Sequence, residues 1–458
     1  MTFKIIYKSS KGHKMKSLKK LNPPKILVLG FIAIILFGAF LLTLPIATED
    51  GKGLSFIDAL FTATSATCVT GLIVVDTGDT FSIFGELVIL VLIQIGGLGF
   101  MTFATLLFLL LGKKISLKER LVLKEAFNNV TFAGLVKLVK RILLFTALIE
   151  IIGGFILSVR FSFDMPIGKA FYFGFFHAIS NFNNAGFDII GGFQSLTAYV
   201  DDPFVVFTIC ALITIGGLGF IVINELYEYR RTKRLSVHTK IVLSTTLILT
   251  VGSTLLIFLF DYGNSKTLGP LSEWGKVLGS LYQAVTSRTA GSNTLPIGNL
   301  TQSTLFLIIW LMFIGGGSGS TAGGIKITTF AVLVATMWSQ IRGKEDVVLF
   351  RRRIVNETIL KALTVSMCGM LIIVLVTIVL SIIEQRHSFM MYLFEATSAF
   401  STTGLSMGLT PELSNEGRLL IILTMFAGRL GPLTIAFAIT KRRKTEDFRH
   451  PKGNIMIG

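Results

Sequence analysis

Cysteine and histidine are scarce in this sequence, and their scarcity removes several function classes. The three cysteines, Cys68, Cys210 and Cys368, lie in or beside apolar stretches without paired spacing. They indicate neither a disulfide framework nor a zinc site and read as small packing residues. The five histidines stand far apart, at positions 13, 177, 238, 387 and 450. A membrane enzyme would need a cluster of His, Asp or Cys at one depth, so no enzymatic activity is expected. No phosphate-cradling P-loop is present. Gly317, Gly319 and Ala322 spell a GxGxxA dinucleotide fingerprint, but no strand precedes it and no acidic residue follows at the required distance. Charge is sparse too, at 15% of residues against 52% hydrophobic, and the mean hydropathy is +0.73. That balance excludes an ordinary soluble protein and fits a polytopic membrane protein.

The net charge of +17 could suggest nucleic acid, but its distribution does not. Most of the 43 Lys and Arg residues fall in five blocks, within 1–25, 112–141, 229–240, 341–361 and 441–452. Long apolar stretches separate them. By the positive-inside rule all five blocks, and with them both termini, are expected on the cytoplasmic side, so each intervening segment crosses an even number of times.

What fills those segments is a repeat. FTATSATCVTG (61–71) returns as FHAISNFNNAG (176–186), YQAVTSRTAG (282–291) and FEATSAFSTTG (394–404). Each copy starts on an aromatic, carries Ala two residues later (Ala63, Ala178, Ala284, Ala396), then Ser or Thr (Ser65, Ser180, Thr286, Ser398), and ends on glycine. The glycines Gly71, Gly186, Gly291 and Gly404 are 115, 105 and 113 residues apart. The third copy is one residue shorter between its Thr and its Gly.

The apolar pattern gives the unit as span, short helix, loop, span. Residues 1–24 read as a basic tail rather than a signal peptide, since no small-residue cleavage site follows the apolar run. Repeat 1 covers 25–112 with a short helix at 55–67; repeat 2 covers 113–230 with one at 169–182. Repeat 3 covers 231–345 with one at 274–287, repeat 4 covers 346–440 with one at 388–400, and 441–458 form a second tail. Eight full spans and four half-spans are expected, among them second spans at 81–111, 203–226, 303–338 and 417–440. A segment that enters and leaves on one side carries non-helical backbone at depth, tolerated only where protein or a water-filled cavity surrounds it. Four such segments point to one shared cavity, and a ring of carbonyls is how a potassium pore replaces a hydration shell.

On SATCVTGL (65–72), NNAGF (183–187), SRTAGSN (287–293) and STTGL (401–405), the chain resembles the Trk/Ktr/HKT superfamily of potassium transporters. Within it the match is to the membrane subunit of bacterial Ktr systems, the KtrB type. The resemblance implies an all-α integral membrane protein with four span, pore-loop, span repeats in pseudo-four-fold symmetry around one pore. It implies ion-coordinating carbonyls at Val69, Thr70 and Gly71, at Asn184, Ala185 and Gly186, at Thr289, Ala290 and Gly291, and at Thr402, Thr403 and Gly404. Serine in place of the first glycine goes with sodium selectivity in related plant transporters. Glycine at all four positions therefore implies K+. A sodium-permeable or sodium-coupled transporter of the same superfamily is the nearer alternative, and a secondary transporter with broken helices a more distant one.

The second spans carry glycine clusters beginning at Gly96, Gly216, Gly315 and Gly428. The first two read as close helix packing. The third is too dense for a helix, because each glycine costs about 1 kcal/mol relative to alanine. The family places an intramembrane gate there, which implies that role for Gly315, Gly316, Gly317, Ser318, Gly319, Ser320, Thr321, Ala322, Gly323, Gly324 and Lys326. Arg429, inside the last span, is implied to contact the gate. Lys326 is either a loop anchor or a cytoplasmic charge. Arg288 is expected to pin its loop to a carboxylate, and Glu150 to meet an Arg or short-helix backbone. Thr62, His177, Gln283 and Glu395 share one position of the short helices and suit polar contact behind the loops. Asp76, Asp79, Asp188, Asp201 and Asp202 follow the loops and would concentrate cations at the mouth. The resemblance further implies a homodimer on a cytosolic RCK-type ring that binds ATP or ADP, docked on the basic loops in the cytoplasmic (inner) membrane, with Na+ as a possible activator.

Overall fold

The computed structural model describes residues 23–99, 135–431 and Thr434. The two tails, the far end of the second span in repeats 1 and 4, and the start of repeat 2 lie largely or wholly outside the described residues.

Each repeat opens on a long apolar helix: Pro23–Leu42, Leu135–Phe161, Val237–Asp261 and Asn356–Glu384. Among the described residues these four are long and apolar enough to cross a membrane, with window hydropathies of 2.7, 2.4, 2.2 and 2.8. They leave large side chains such as Phe37, Leu247 and Met367 more than 60% exposed, as lipid-facing helices do.

The short helices run Phe56–Cys68, Ile167–Phe182, Glu273–Thr286 and Phe389–Ser401, within two residues of the expected bounds. Three start on a serine whose hydroxyl accepts an orphan N–H: Ser55 from Asp58, Ser272 from Gly275 and Ser388 from Met391. The repeated alanines, Ala63, Ala178, Ala284 and Ala396, are fully buried where the helices pack. Only a small side chain leaves room for that contact.

The second helices differ from expectation. They run Ile83–Leu98, Pro203–Leu218, Gln302–Ile314 and Asn415–Leu430, 13 to 16 residues each. At 1.5 Å per residue they cover about 20–24 Å, short of the ~30 Å apolar core of a bilayer. Each stops at a glycine with positive φ: Gly99 (82°), Gly219 (102°), Gly315 (60°) and Gly431 (81°). The expected continuous span at 203–226 is two helices, Pro203–Leu218 and Phe220–Thr232, bent by 97°. The span at 303–338 is interrupted from Gly315 to Lys326, as its glycine density implied, after which Ile327–Ile341 resumes. A two-stranded hairpin, Val348–Leu349 with Arg352–Arg353, follows.

The repeats close on one another. The second helix of repeat 1 packs on the short helix of repeat 2, that of repeat 2 on the short helix of repeat 3, and that of repeat 3 on the short helix of repeat 4. The second helix of repeat 4 returns to the short helix of repeat 1. Glycine makes the seats within each repeat: a methyl group on Gly96, Gly216 or Gly428 would overlap the carbonyl of Thr67, Phe182 or Phe400, respectively. The expected close packing at the first two clusters is thus packing against the short helix of the same repeat.

Candidate functional site

Each short helix ends in a loop that turns through the left-handed region twice. Val69 (φ 57°), Asn184 (59°), Thr289 (77°) and Thr402 (49°) do so first, and the motif glycines do so two residues later at 91°, 69°, 87° and 92°. The residue between has ordinary handedness, so every other peptide plane is rotated and successive carbonyls come to one side. A left-handed turn at a non-glycine residue costs roughly 1–3 kcal/mol and persists only where its surroundings enforce it. Here the motif Ser or Thr enforces it. Its carbonyl accepts the N–H of the residue before the glycine in all four loops: Thr70 to Ser65 (2.8 Å), Ala185 to Ser180 (2.8 Å), Ala290 to Thr286 (2.9 Å) and Thr403 to Ser398 (2.9 Å). The third loop keeps this bond with one residue fewer by using a four-residue instead of a five-residue closure. The hydroxyls of Ser65 and Ser398 accept the N–H of Gly71 and Gly404, each at 3.1 Å. Those of Ser180 and Thr286 donate instead to the carbonyls of Phe187 and Ser292.

The four loops meet. A methyl group on Gly71 would land on the Ala185 carbonyl, one on Gly186 on that of Ala290, one on Gly291 on that of Thr403, and one on Gly404 on that of Thr70. The order runs through the repeats and closes. Thr70, Ala185, Ala290 and Thr403 are fully buried. Yet none of the twelve carbonyls of residues 69–71, 184–186, 289–291 and 402–404 accepts a hydrogen bond from a described residue. Buried carbonyls without a protein donor are rare, and at membrane depth they need another partner. Four helix C-termini, each with about half a negative charge, end beside them, so a cation is the partner this arrangement favours.

The glycine-rich loop Gly315–Lys326 lies against this ring. The Gly317 N–H donates to the Gly217 carbonyl (2.7 Å) and the Thr321 N–H to that of Gly216 (3.3 Å), while Phe220 returns its N–H to Gly319 (3.0 Å). The Thr321 hydroxyl donates to Asn184 Oδ1 at 2.9 Å. Gly323 backs onto Ser401 and Thr402 so closely that no side chain would fit. Arg429, which stands where the clusters of repeats 1 and 2 have Gly97 and Gly217, donates to the carbonyls of Thr321 and Gly96. One guanidinium thereby joins repeats 4, 3 and 1. Lys326 donates to the Ala322 carbonyl at 2.7 Å, which makes it a loop anchor.

Other singled-out residues have different partners from those expected. Arg288, 6% exposed, donates to the Thr250 hydroxyl on the long helix of its own repeat rather than to a carboxylate. Among the described residues Glu150 meets neither an Arg nor helix backbone; it accepts from Gln94 (3.3 Å) and Asn183 (3.0 Å). His177 contacts the Phe173 carbonyl at 2.7 Å among aromatic rings. Glu395 accepts the hydroxyls of Ser406 and Thr410, behind its loop as expected. The aspartates are mostly engaged. Asp76 and Asp202 cap helices, Asp202 pairs with Arg160, and Asp76 and Asp79 hold the N–H groups of Phe193 (2.6 Å) and Gly192 (2.8 Å). Asp201 accepts from Ser272 at 3.3 Å. Asp188 accepts from Ile190 at 3.3 Å, and burial, helped by nearby Asp76, pushes its carboxyl up to about 6. Sequence reading missed Gln94, Asn183 and Thr250. The signal for Gln94 was its column, which holds Thr214, Phe313 and Phe426 in the other repeats.

The family model "TrkH: Cation transport protein" matches residues 2–448. The chain is 47% identical to the Ktr system potassium uptake protein B of Bacillus subtilis (strain 168), over 96% of this chain and 97% of that protein. It is 41% identical to the potassium/sodium uptake protein NtpJ of Enterococcus hirae, over 96% and 98%. The crystal structure of the potassium transporter TrkH from Vibrio parahaemolyticus superposes with a TM-score of 0.69 at 18% identity, over 94% of this chain and 86% of that one, which carries the fold. By sequence and by fold, then, this mostly helical membrane protein belongs to the TrkH family of cation transport proteins.

Proposed function

We propose that the chain takes up potassium through a selective, channel-like pore where its four loops meet, in pseudo-four-fold symmetry, as the membrane subunit of a Ktr-type system. The observation that carries the reading is the set of twelve loop carbonyls without a donor among the described residues, beside four helix C-termini. A K+ ion entering such a ring exchanges water oxygens for carbonyl oxygens, and no side chain takes part. Glycine at each closing position lets neighbouring loops touch backbone to backbone.

The glycine-rich loop is the gate in this reading, and Arg429 its latch. A loop held by a few hydrogen bonds to the broken second helix of repeat 2 can be displaced without unfolding a helix. The homodimer, the cytosolic RCK-type ring with ATP or ADP, and activation by Na+ are part of the proposal. It is supported by likeness to proteins named as Ktr uptake subunits and by the exposed basic residues Arg230, Arg231, Lys233, Arg234, Arg342 and Arg351–Arg353. Those same residues favour a cytoplasmic-membrane location with both termini inside. A sodium-permeable pore is the second reading, favoured by the potassium/sodium relative and opposed by Gly71.

The test is growth at low potassium of a bacterium lacking its own uptake systems, with and without a co-expressed ring protein. The chain should restore growth, Gly71→Ser should admit sodium, and deletion of residues 317–322 should raise flux without the ring. Membrane-inserted protein that supports no potassium flux in either background would defeat the proposal.

A further inference from the structure

Glu150 is a carboxylate in the middle of the long helix of repeat 2, 8% exposed and without a cationic partner among the described residues. Such a placement is costly in a membrane span, so its contacts are informative. Both oxygens are engaged by amides. Oε2 accepts from Gln94 Nε2 at 3.3 Å and Oε1 from Asn183 Nδ2 at 3.0 Å. Asn183 Nδ2 also donates to Gln94 Oε1 (2.7 Å) and to the Ile179 carbonyl (2.9 Å). Its Oδ1 lies against Gly97, where a methyl group would not fit. Three helices from two repeats thus converge on one amide. That amide belongs to the residue directly before Asn184, the first left-handed residue of the second loop.

Both carboxyl oxygens accept from an amide N–H here, whereas an amide at position 150 would turn its own NH2 toward one of those two donors. Glu150 therefore fixes which way both neighbouring amides face. The position three residues before the motif glycine is occupied by Cys68, Asn183, Arg288 and Ser401 in the four repeats. Where its side chain is long and polar it reaches the long helix of its own repeat: Asn183 to Glu150 and Arg288 to Thr250. The second loop is held from its other face as well, by the Thr321 hydroxyl on Asn184.

We propose that Glu150 is a positioning residue for ion selectivity. It acts through Asn183 to hold the carbonyls of Asn184, Ala185 and Gly186 at the separation that suits potassium, an inference that rests on the pore reading above. The experiment is the K+/Na+ preference of purified protein reconstituted in liposomes, read beside total flux and elution on gel filtration. Glu150→Gln should elute as the unaltered protein does, with its preference lowered roughly tenfold, the scale of one buried donor left unsatisfied. Asn183→Ala, altered on the loop side and not in the span, should lower it similarly. The two together should do no more than either alone. Should Glu150→Gln fail to fold, Asn183→Ala carries the test by itself. Preference retained in Asn183→Ala, or additive losses in the double variant, would overturn the inference. Gly71→Ser in the same liposomes separates the two failures. If it shifts preference while the Glu150 and Asn183 variants do not, the positioning role is wrong and the pore reading stands; if none shifts it, the pore reading falls first.

Discussion

Gly186 shows what a single atom does at this site. A methyl group there would meet the Ala290 carbonyl and the backbone of Gly291 while the residue sits at φ 69°. Gly186→Ala thus combines overlap with a left-handed penalty, together about 1–3 kcal/mol, and should lower both the thermal midpoint in detergent and potassium selectivity. An unchanged midpoint and preference would mean the loops do not touch as described. Asp188 gives a test by pH. Its carboxyl, pushed up to about 6 from an ordinary 3.8, binds a proton in the folded protein that the unfolded chain has already released. Its contribution to stability therefore grows as pH falls through 6 toward about 4 and is lost as pH rises. In melts between pH 7.5 and 4.5, Asp188→Asn should lack part of the gain shown by the unaltered chain; parallel curves would contradict the burial of this group. Among single residues, the motif glycines, alanines and hydroxyl residues were legible because each recurs in all four copies. The partners of Glu150 and Arg288 were not, since Gln94 and Asn183 are 89 residues apart and nothing in the chain pattern pairs them.

Elements were readable where hydropathy and structure agree and misread where backbone conformation decides. The four long helices and the short helices follow from apolar length and from caps at Ser55, Ser272 and Ser388. The second helices carry equally plain caps, at Ser82, Asp202, Thr301 and Ser414. Their ends were hidden, because the Leu-Gly pairs at 98–99 and 218–219 sit inside apolar runs and hydropathy is blind to φ. The recurrence of Leu-Gly at the same place in the first, second and fourth clusters, at 98–99, 218–219 and 430–431, was the available sign. The glycine-rich loop was legible because six glycines in twelve residues leave no helix to form. Arg429, the proposed latch, gives the prediction at this scale. Arg429→Ala frees the carbonyls of Thr321 and Gly96 and should raise rubidium flux several-fold without the ring. Arg429→Lys, a point charge in place of a fork, should fall between. Flux at or below that of the unaltered chain in Arg429→Ala would show that the guanidinium does not hold the loop shut.

At the scale of the molecule, four short sequence motifs separated by 105 to 115 residues close into one ring, because each second helix packs on the next short helix and the fourth returns to the first. The repeat announced that arrangement; which repeat neighbours which came only from the packing. The third motif is one residue shorter than the others, and the Ala290 to Thr286 bond shows how that is absorbed. The proposed pore requires that the buried carbonyls at the meeting point coordinate potassium. Its most direct test is anomalous diffraction from crystals of the protein grown in rubidium. Rubidium peaks are expected on the axis between Gly71, Gly186, Gly291 and Gly404, within coordination distance of the carbonyls of Thr70, Ala185, Ala290 and Thr403, and should persist when sodium is added in excess. Crystals with ordered loops and no rubidium at that axis, or with rubidium displaced by equal sodium, would contradict it.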